Sequence, residues 1–319
     1  MKAVFCEKLG SPDDLVLRDV PSPTAGPGEV KVALHARGVS YVDVLTIAGQ
    51  YQVKRDLPFI PGGEAAGVVI ETGAGVESVK PGDRVLVPGG FAEETVVKTE
   101  RVTPLPASVS FETAAAFRSS YHTAYYALQR GRLKAGEVLL VHGAAGGVGL
   151  AAVDVGKLLG ATVIATASTA AKLAVCQRMG ADHVINYTHG FREQVRELTA
   201  GCGGADVIYD PVGGDVFDES MRCIAPFGRI LIIGFTSGRA ALAKTNHLLI
   251  KDAEVIGLTI GGLSRLDPAW EKRNFAVLMD WLAAGRITPH ISHRLPLAQA
   301  AEALKLVMAR QVMGKAVLV

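Results

Sequence analysis

Val138-Leu139-Leu140-Val141-His142-Gly143-Ala144-Ala145-Gly146-Gly147-Val148-Gly149 decides how the rest of the chain is read. An apolar run of strand length turns through glycines into a segment where Val148, Ala151, Ala152, Val155, Leu158 and Leu159 recur at helical spacing. Such a strand, turn and helix leave the first helical N–H groups unpaired. The positive end of the helix dipole lies behind them, so the turn is shaped to receive a pyrophosphate. Gly143 permits the tight turn, Gly146 lets backbone approach a phosphate without a Cβ in the way, and Gly149 allows close packing of helix on strand.

Outward from this turn, strand and helix signals alternate. Strands are predicted over residues 138–141, 162–167, 183–187, 207–210, 229–234 and 255–260, with helices over 147–159, 170–179, 191–199 and 216–224. The pattern is that of an α/β protein with a doubly wound parallel sheet of about six strands. The second strand ends about twenty residues beyond the glycines, where chains that bind NAD place a carboxylate for the ribose hydroxyls. Here Ala167, Ser168, Thr169 and then Lys172 follow. They leave a 2′-phosphate unrepelled and offer it hydroxyl and ammonium donors, which points to NADPH over NADH.

The N-terminal third reads differently. Short strands over 2–5, 15–19, 29–38, 65–72, 84–87 and 91–97, separated by Gly- and Pro-rich turns, predict a compact barrel-like domain reaching to about Pro106. Helices over 112–117 and 120–129 lead into the central strand, and amphipathic helices over 274–284 and 297–308 precede a terminal strand, 316–319, that returns to the first domain.

Composition limits the function. A length of 319 residues suggests two domains, and 49% hydrophobic residues with 36 glycines suit a nucleotide-binding enzyme. A net charge of +2, with basic residues scattered, is too balanced to imply a nucleic-acid footprint or an anionic-membrane patch. Cys6, Cys176, Cys202 and Cys223 stand far apart without a CxxC pair, as reduced thiols do in a cytoplasmic protein. No apolar run approaches the roughly 20 residues of a membrane helix, and the N-terminus carries no signal-peptide pattern.

With these residues in view, the chain resembles the medium-chain dehydrogenases/reductases, in their zinc-independent quinone oxidoreductase (zeta-crystallin-like) branch. The resemblance covers essentially the whole length. It rests on Gly38-Val39-Ser40-Tyr41-Val42-Asp43, Pro61-Gly62-Gly63-Glu64-Ala65-Ala66-Gly67, Gly82-Asp83-Arg84-Val85, Thr123-Ala124-Tyr125 and the stretch from Gly143 to Gly149. Asp210-Pro211-Val212-Gly213, Gly228 to Gly234 and Gly314-Lys315 fit as well. It implies a GroES-like β-rich substrate domain (residues 1–115 and 264–319) packed on a Rossmann NADPH-binding domain (116–263), with the active site in the cleft between.

The departures from zinc-dependent relatives carry the chemistry. Ser40, Gly63 and Ser119 stand where those relatives have Cys, His and Cys, and serine and glycine cannot complete a tetrahedral zinc shell. The four-cysteine structural lobe is also missing, since Pro88-Gly89-Gly90 joins the strands directly. Plain alcohol dehydrogenation loses its Lewis acid, and hydride delivery to an already electrophilic quinone or enone remains. By resemblance Ser40, Tyr41, Asp43 and Tyr51 form the catalytic wall, with Tyr51 the first candidate to donate to the substrate oxygen. Tyr51 as a plain aromatic wall, and Asp43 and Glu64 as loop-holding carboxylates, stay open beside that assignment. His122 and His142 flank functional segments without a recognisable partner and are read as structural.

The resemblance carries Ala145, Gly146, Gly147 and Val148 to the pyrophosphate, Ser168 and Lys172 to the adenosine phosphate, and Tyr187 to the adenine edge. It carries Thr123, Gly234, Phe235, Gly261 and Lys315 to the remaining cofactor contacts. Pro211 replaces a Ser of some relatives and gives up its hydroxyl. The edge strand, 255–260, is expected to pair with a second copy as a homodimer. Two other functions stay open: reduction of a 2-enoyl thioester such as acrylyl-CoA or of a related acid, and a non-catalytic NADPH-binding role of the crystallin or RNA-binding type.

Overall fold

A computed structural model describes residues 1–319. The chain divides into two compact units, Met1–Arg118 with Thr288–Val319, and Ser119–Ile287.

The second unit is built on the parallel sheet. Its strand order is His183–Asn186, Thr162–Ala167, Val138–Val141, Ala205–Asp210, Ile224–Ile232, Glu254–Gly257, all parallel. This is a doubly wound order that starts in the middle and reverses between Val138–Val141 and Ala205–Asp210. Ligands bind at that reversal, outside the carboxyl ends of the strands. All four residues of Val138–Val141 are buried, as a central strand covered on both faces requires. One face packs Leu140, Ile164, Ile185, Ile208 and Ile230 into a single apolar layer with Phe191 and Phe217.

The first unit is β-rich. The long strand Glu29–Val39 pairs antiparallel with Ala65–Thr72 along one edge. Along the other it pairs with Glu94–Lys98 through its first half and with the C-terminal strand Lys315–Leu318 through its last residues. Bulges at Lys31/Val32 and Leu34/Ala36 bend it, so one strand can serve both partners. The chain end thus returns to the first unit, as its apolar pattern predicts. Leu295, Ala300, Ala303, Leu304, Ala316 and Leu318 share a core with Val4, Val44, Ile47 and Phe91.

The domain boundary needs a correction. The return to the first unit falls at Thr288, not at residue 264. The cause is the helix Pro268–Ala283, which packs on the helix Arg118–Arg130 inside the second unit. Trp281 meets Tyr125 edge-on with centroids 5.2 Å apart, Trp270 meets Tyr126 at 5.4 Å, and Phe275 tilts against His122 at 5.6 Å. Such aromatic pairs contribute about 0.5–1.5 kcal/mol each beyond their burial, enough to fix which unit the helix joins. Among the elements additional to the predicted set are the strand Ile291–Leu295 and the helices Thr245–Lys251 and Ile260–Leu266. The edge strand ends at Gly257, because Thr259 caps the second of these helices, its Oγ1 accepting from the Gly262 N–H at 2.9 Å.

Candidate active site

The glycine-rich turn lies at the sheet's reversal point. Gly143 has φ +53°, which an L side chain adopts only at a cost. The helix Gly147–Leu158 starts from Gly146, whose missing side chain leaves the first N–H groups free for a ligand. A Cβ on Gly149 would lie 2.5 Å from the Gly143 carbonyl oxygen, so that glycine seats the helix on its own turn. The turn is fastened on both sides: the His142 N–H donates to the Tyr209 carbonyl and the Ala144 N–H to the Thr166 carbonyl, each at 3.0 Å.

Two further loops join it. Oδ1 of the buried Asp210 accepts from the Val212 and Gly213 N–H groups at 2.7 and 2.9 Å and so shapes the loop after its strand. The Thr236 and Ser237 N–H groups then donate to the Pro211 and Val212 carbonyls, each at 3.0 Å. A Cβ on Gly143 would touch Pro211 and Val212 at 3.4 Å, and one on Gly213 would meet the Phe235 ring at 3.0 Å. The structure therefore brings Ala145, Gly146, Gly147, Val148, Gly234 and Phe235 to one end of the sheet. Pro211 holds its neighbour loop with its carbonyl, a contact that needs no side-chain hydroxyl.

The phosphate end is equally defined. Thr169 caps the helix Ala170–Arg178, its Oγ1 accepting from the Lys172 N–H at 3.3 Å, so that oxygen is committed to the helix start. Ser168 and Lys172 are half-buried beside it. The ion pairs of this unit use Arg132, Lys157, Arg192, Arg196, Arg229 and Arg239, and Lys172 keeps its ammonium uncommitted. The Tyr187 N–H reaches the Ala167 carbonyl at 3.3 Å, which sets Tyr187 at the end of the Ser168 strand. Thr123 is half-buried, with Oγ1 donating to the Ser119 carbonyl at 2.7 Å. Gly261 is exposed in the helix that Thr259 caps.

In the first unit, Ser40 precedes the helix Tyr41–Ile47, and Asp43 turns back to it. Asp43 Oδ2 accepts from the Ser40 N–H at 2.8 Å and from the Ser40 hydroxyl at 3.0 Å. Burial pushes the Asp43 carboxyl up to about 6, against the pull of those bonds and of Lys315. Lys315 Nζ lies 2.6 Å from Glu64 Oε1, and both side chains are only 5% exposed. The ammonium expected among the cofactor contacts is thus paired inside the first unit. Tyr41 is 38% exposed at the start of its helix, and Tyr51 is half-buried in the bend that comes after it. The Glu64–Lys315 pair spans 251 residues and has no signal in the sequence.

No three His, Cys, Asp or Glu side chains converge anywhere in the structure, and the four cysteines are all free. The residues around the glycine turn do suit NADPH: a bare helix start for the pyrophosphate, an uncommitted lysine and serine for a phosphate, and no carboxylate to repel it.

A reversal-point turn of this kind, joined in one chain to a β-rich unit closed by the C-terminal strand, defines a dinucleotide-binding oxidoreductase of the medium-chain superfamily. Family models agree: the alcohol dehydrogenase GroES-like domain matches residues 26–107 and the zinc-binding dehydrogenase model residues 147–283. A quinone oxidoreductase-like protein 2 homolog of Nematostella vectensis is 39% identical, the alignment covering 99% of this chain and 88% of that protein. A 2-haloacrylate reductase of Burkholderia sp. is 34% identical over 99% and 98% of the two chains. The crystal structure of Escherichia coli quinone oxidoreductase complexed with NADPH superposes with a TM-score of 0.91 at 30% identity, each chain covered completely. The chain belongs to the quinone oxidoreductase family of the medium-chain dehydrogenase/reductase superfamily.

Proposed function

We propose that this chain is a zinc-independent, NADPH-dependent reductase of a quinone or an α,β-unsaturated carbonyl compound. The observation that carries the cofactor is the end of the strand Thr162–Ala167, where Ser168 and the uncommitted Lys172 stand in place of a carboxylate. The NADPH complex of the Escherichia coli relative supports it. When bound, the reduced nicotinamide supplies a hydride. Gly147 and Val148 hold the pyrophosphate with backbone N–H groups, Gly146, whose own N–H closes the turn on the Gly143 carbonyl at 3.0 Å, lets it approach without a Cβ, Ser168 and Lys172 hold the 2′-phosphate, and Tyr187 borders the adenine. Tyr41 and Tyr51 line the acceptor, and Tyr51 donates to its developing enolate or hydroquinone oxygen. Zinc-independence rests on Ser40 and Gly63, neither of which provides a ligand.

A second reading of the acceptor is an electron-poor acrylic acid or thioester, favoured by the Burkholderia 2-haloacrylate reductase. Both acceptors need the same hydride chemistry and differ in the carboxylate or thioester beside the alkene.

The quaternary state proposed is a homodimer through the edge strand Glu254–Gly257. The flanking helix Thr245–Lys251 has no buried residue, and Leu249 and Ile250 are 79% and 75% exposed. A helix this short needs packing to persist, and a second copy supplies it. No helix is long and apolar enough to cross a membrane; we assign the protein to the cytoplasm.

The test is steady-state oxidation of NADPH and NADH, with chelator present, against 1,4-naphthoquinone, cyclohexenone, 2-chloroacrylate and acrylyl-CoA. NADPH-dependent turnover of the quinone or enone is the expected result, and turnover of the acrylates alone establishes the second reading. Tight NADPH binding with no turnover of any acceptor overturns both in favour of a binding role.

A further inference from the structure

Asp43, Glu64 and Lys315 are all buried in the first unit, at 5%, 4% and 4% exposure. Lys315 and Glu64 pair with each other at 2.6 Å, which leaves Asp43 as the acid without a cation of its own. Its two close bonds go to Ser40, from the backbone N–H at 2.8 Å and the hydroxyl at 3.0 Å. The oxygen-to-oxygen contact serves equally with the proton on either atom, and its length is within reach of proton transfer.

We propose that Ser40 and Asp43 form a proton relay that supplies the proton the acceptor takes up with the hydride. The inference rests on the reading above and adds Ser40 to the wall of Tyr41 and Tyr51 that faces the acceptor: Tyr51 gives the acceptor oxygen a hydrogen bond, and Ser40 delivers the proton. Once the acceptor has gained a hydride it carries an oxyanion. The Ser40 O–H bond breaks as an O–H bond forms on that oxygen, and the Asp43 O–H bond breaks as the Ser40 hydroxyl is restored. Asp43 is left as carboxylate and regains its proton from water. One hydride and one proton are consumed for each acceptor reduced.

The surroundings suit a proton reservoir. Burial raises the Asp43 carboxyl to about 6, Glu64 from the loop before Ala65–Thr72 raises it further, and Lys315 from the C-terminal strand and the two Ser40 donors lower it. The helix Ala300–Met308, packed on the Asp43 helix, turns Ala300, Ala303 and Leu304 inward and adds no charge. Ser40 is the catalytic residue of the pair, and Asp43 acts through it.

The experiment compares wild type, Ser40→Ala, Asp43→Asn and Glu64→Gln in oxidation of NADPH by 1,4-naphthoquinone from pH 5 to 9. NADPH binding is read separately by fluorescence. The amide introduced by Asp43→Asn keeps an oxygen for the Ser40 N–H, so the helix start is retained. Wild-type kcat/KM is expected to fall about tenfold per pH unit above pH ~6. Asp43→Asn and Ser40→Ala lose about a hundredfold at pH 6 and become flat in pH, with NADPH binding unchanged. Glu64→Gln moves the midpoint down, since it removes the negative charge that raises Asp43. A readout without cofactor accompanies these: wild type loses stability relative to Asp43→Asn as pH rises from the ordinary carboxyl value of 3.8 to about 6. Retention of the wild-type pH profile by Asp43→Asn, or unchanged rates in Ser40→Ala, overturns the relay while the reductase reading stands. A wild type that binds NADPH but reduces nothing overturns the reductase reading, and the relay with it.

Discussion

Replacing His142 by glutamine should change how the second unit's stability depends on pH. His142 lies 1% exposed at the end of the central strand. The Ser220 hydroxyl donates to the Val216 carbonyl at 2.7 Å, so Ser220 Oγ accepts from His142 Nε2–H at 2.8 Å. Nδ1 is left to accept from the Thr166 hydroxyl at 3.0 Å, and the Phe191 ring packs at 4.6 Å. Every polar atom of the neutral ring is satisfied, and burial lowers its pKa from 6.5 to about 3. The unfolded chain takes up a proton near pH 6.5 that the folded one refuses. Stability therefore falls as pH drops through that window and levels off near pH 3. At about 1.4 kcal/mol per pH unit the loss is about 2 kcal/mol between pH 7 and pH 5, and about 3 by pH 4. Both tryptophans, Trp270 and Trp281, lie in the same unit, so urea unfolding monitored by their fluorescence reports on it. The stability difference between wild type and His142→Gln should shrink by those amounts on acidification. A difference that stays constant from pH 7 to pH 4 would refute the argument.

Three other outcomes are expected. Lys172→Ala should weaken NADPH binding about tenfold or more and leave NADH binding nearly unchanged, since only the former presents a phosphate to the ammonium; equal losses in fluorescence titrations would remove the phosphate assignment. Gly149→Ala drives a Cβ to 2.5 Å from the Gly143 carbonyl, so it should cost about 1–3 kcal/mol in urea unfolding and lower affinity for NADPH. Leu249→Lys with Ile250→Glu should convert a dimer to a monomer in light scattering without loss of folding, because both side chains are exposed in the single chain. A wild type of monomer mass would remove the dimer.

The features legible in the sequence are those set by local physics. The strands Val138–Val141, Thr162–Ala167, Ala65–Thr72 and Arg84–Val87 match their expected limits, because buried runs bounded by glycine turns leave few alternatives. The strand expected over 229–234 starts at Ile224, since Ile224 already pairs with Ala205 and Ala225–Gly228, with Phe227 at φ +59°, bulge out before the ladder resumes at Arg229. The helix expected from residue 274 starts at Pro268, and Asp267-Pro268, a cap followed by proline at the first helical position, is the signal that finds it. The strand Ile291–Leu295 hides because its half-exposed residues take a partner some twenty residues later, Lys315–Leu318. Of the candidate site, the glycine turn and the missing carboxylate could be read directly. The Glu64–Lys315 pair and the Thr166–His142–Ser220 chain could not, since each joins residues whose proximity only the tertiary fold creates.

Those two buried clusters separate structure from chemistry in this fold. Removing an ionisable group from water always disfavours its charged form, and the consequence depends on how completely its neutral form is bonded. Around His142 the hydroxyls of Thr166 and Ser220 satisfy both ring nitrogens, so the proton it refuses in the folded state has no use, and the histidine is a core residue. Around Asp43 the nearest cation is claimed by Glu64, and the donors that remain both belong to Ser40. Its pKa of about 6 lies close enough to neutrality for the proton to leave and return. The acidic pH dependence of the two groups has opposite sign: as pH falls from 7 to 5, the native second unit is weakened at His142 and the native first unit is strengthened at Asp43. A variant at either position should therefore change the pH dependence of its own unit alone, and the position that also changes the pH dependence of catalysis is the one that handles the proton.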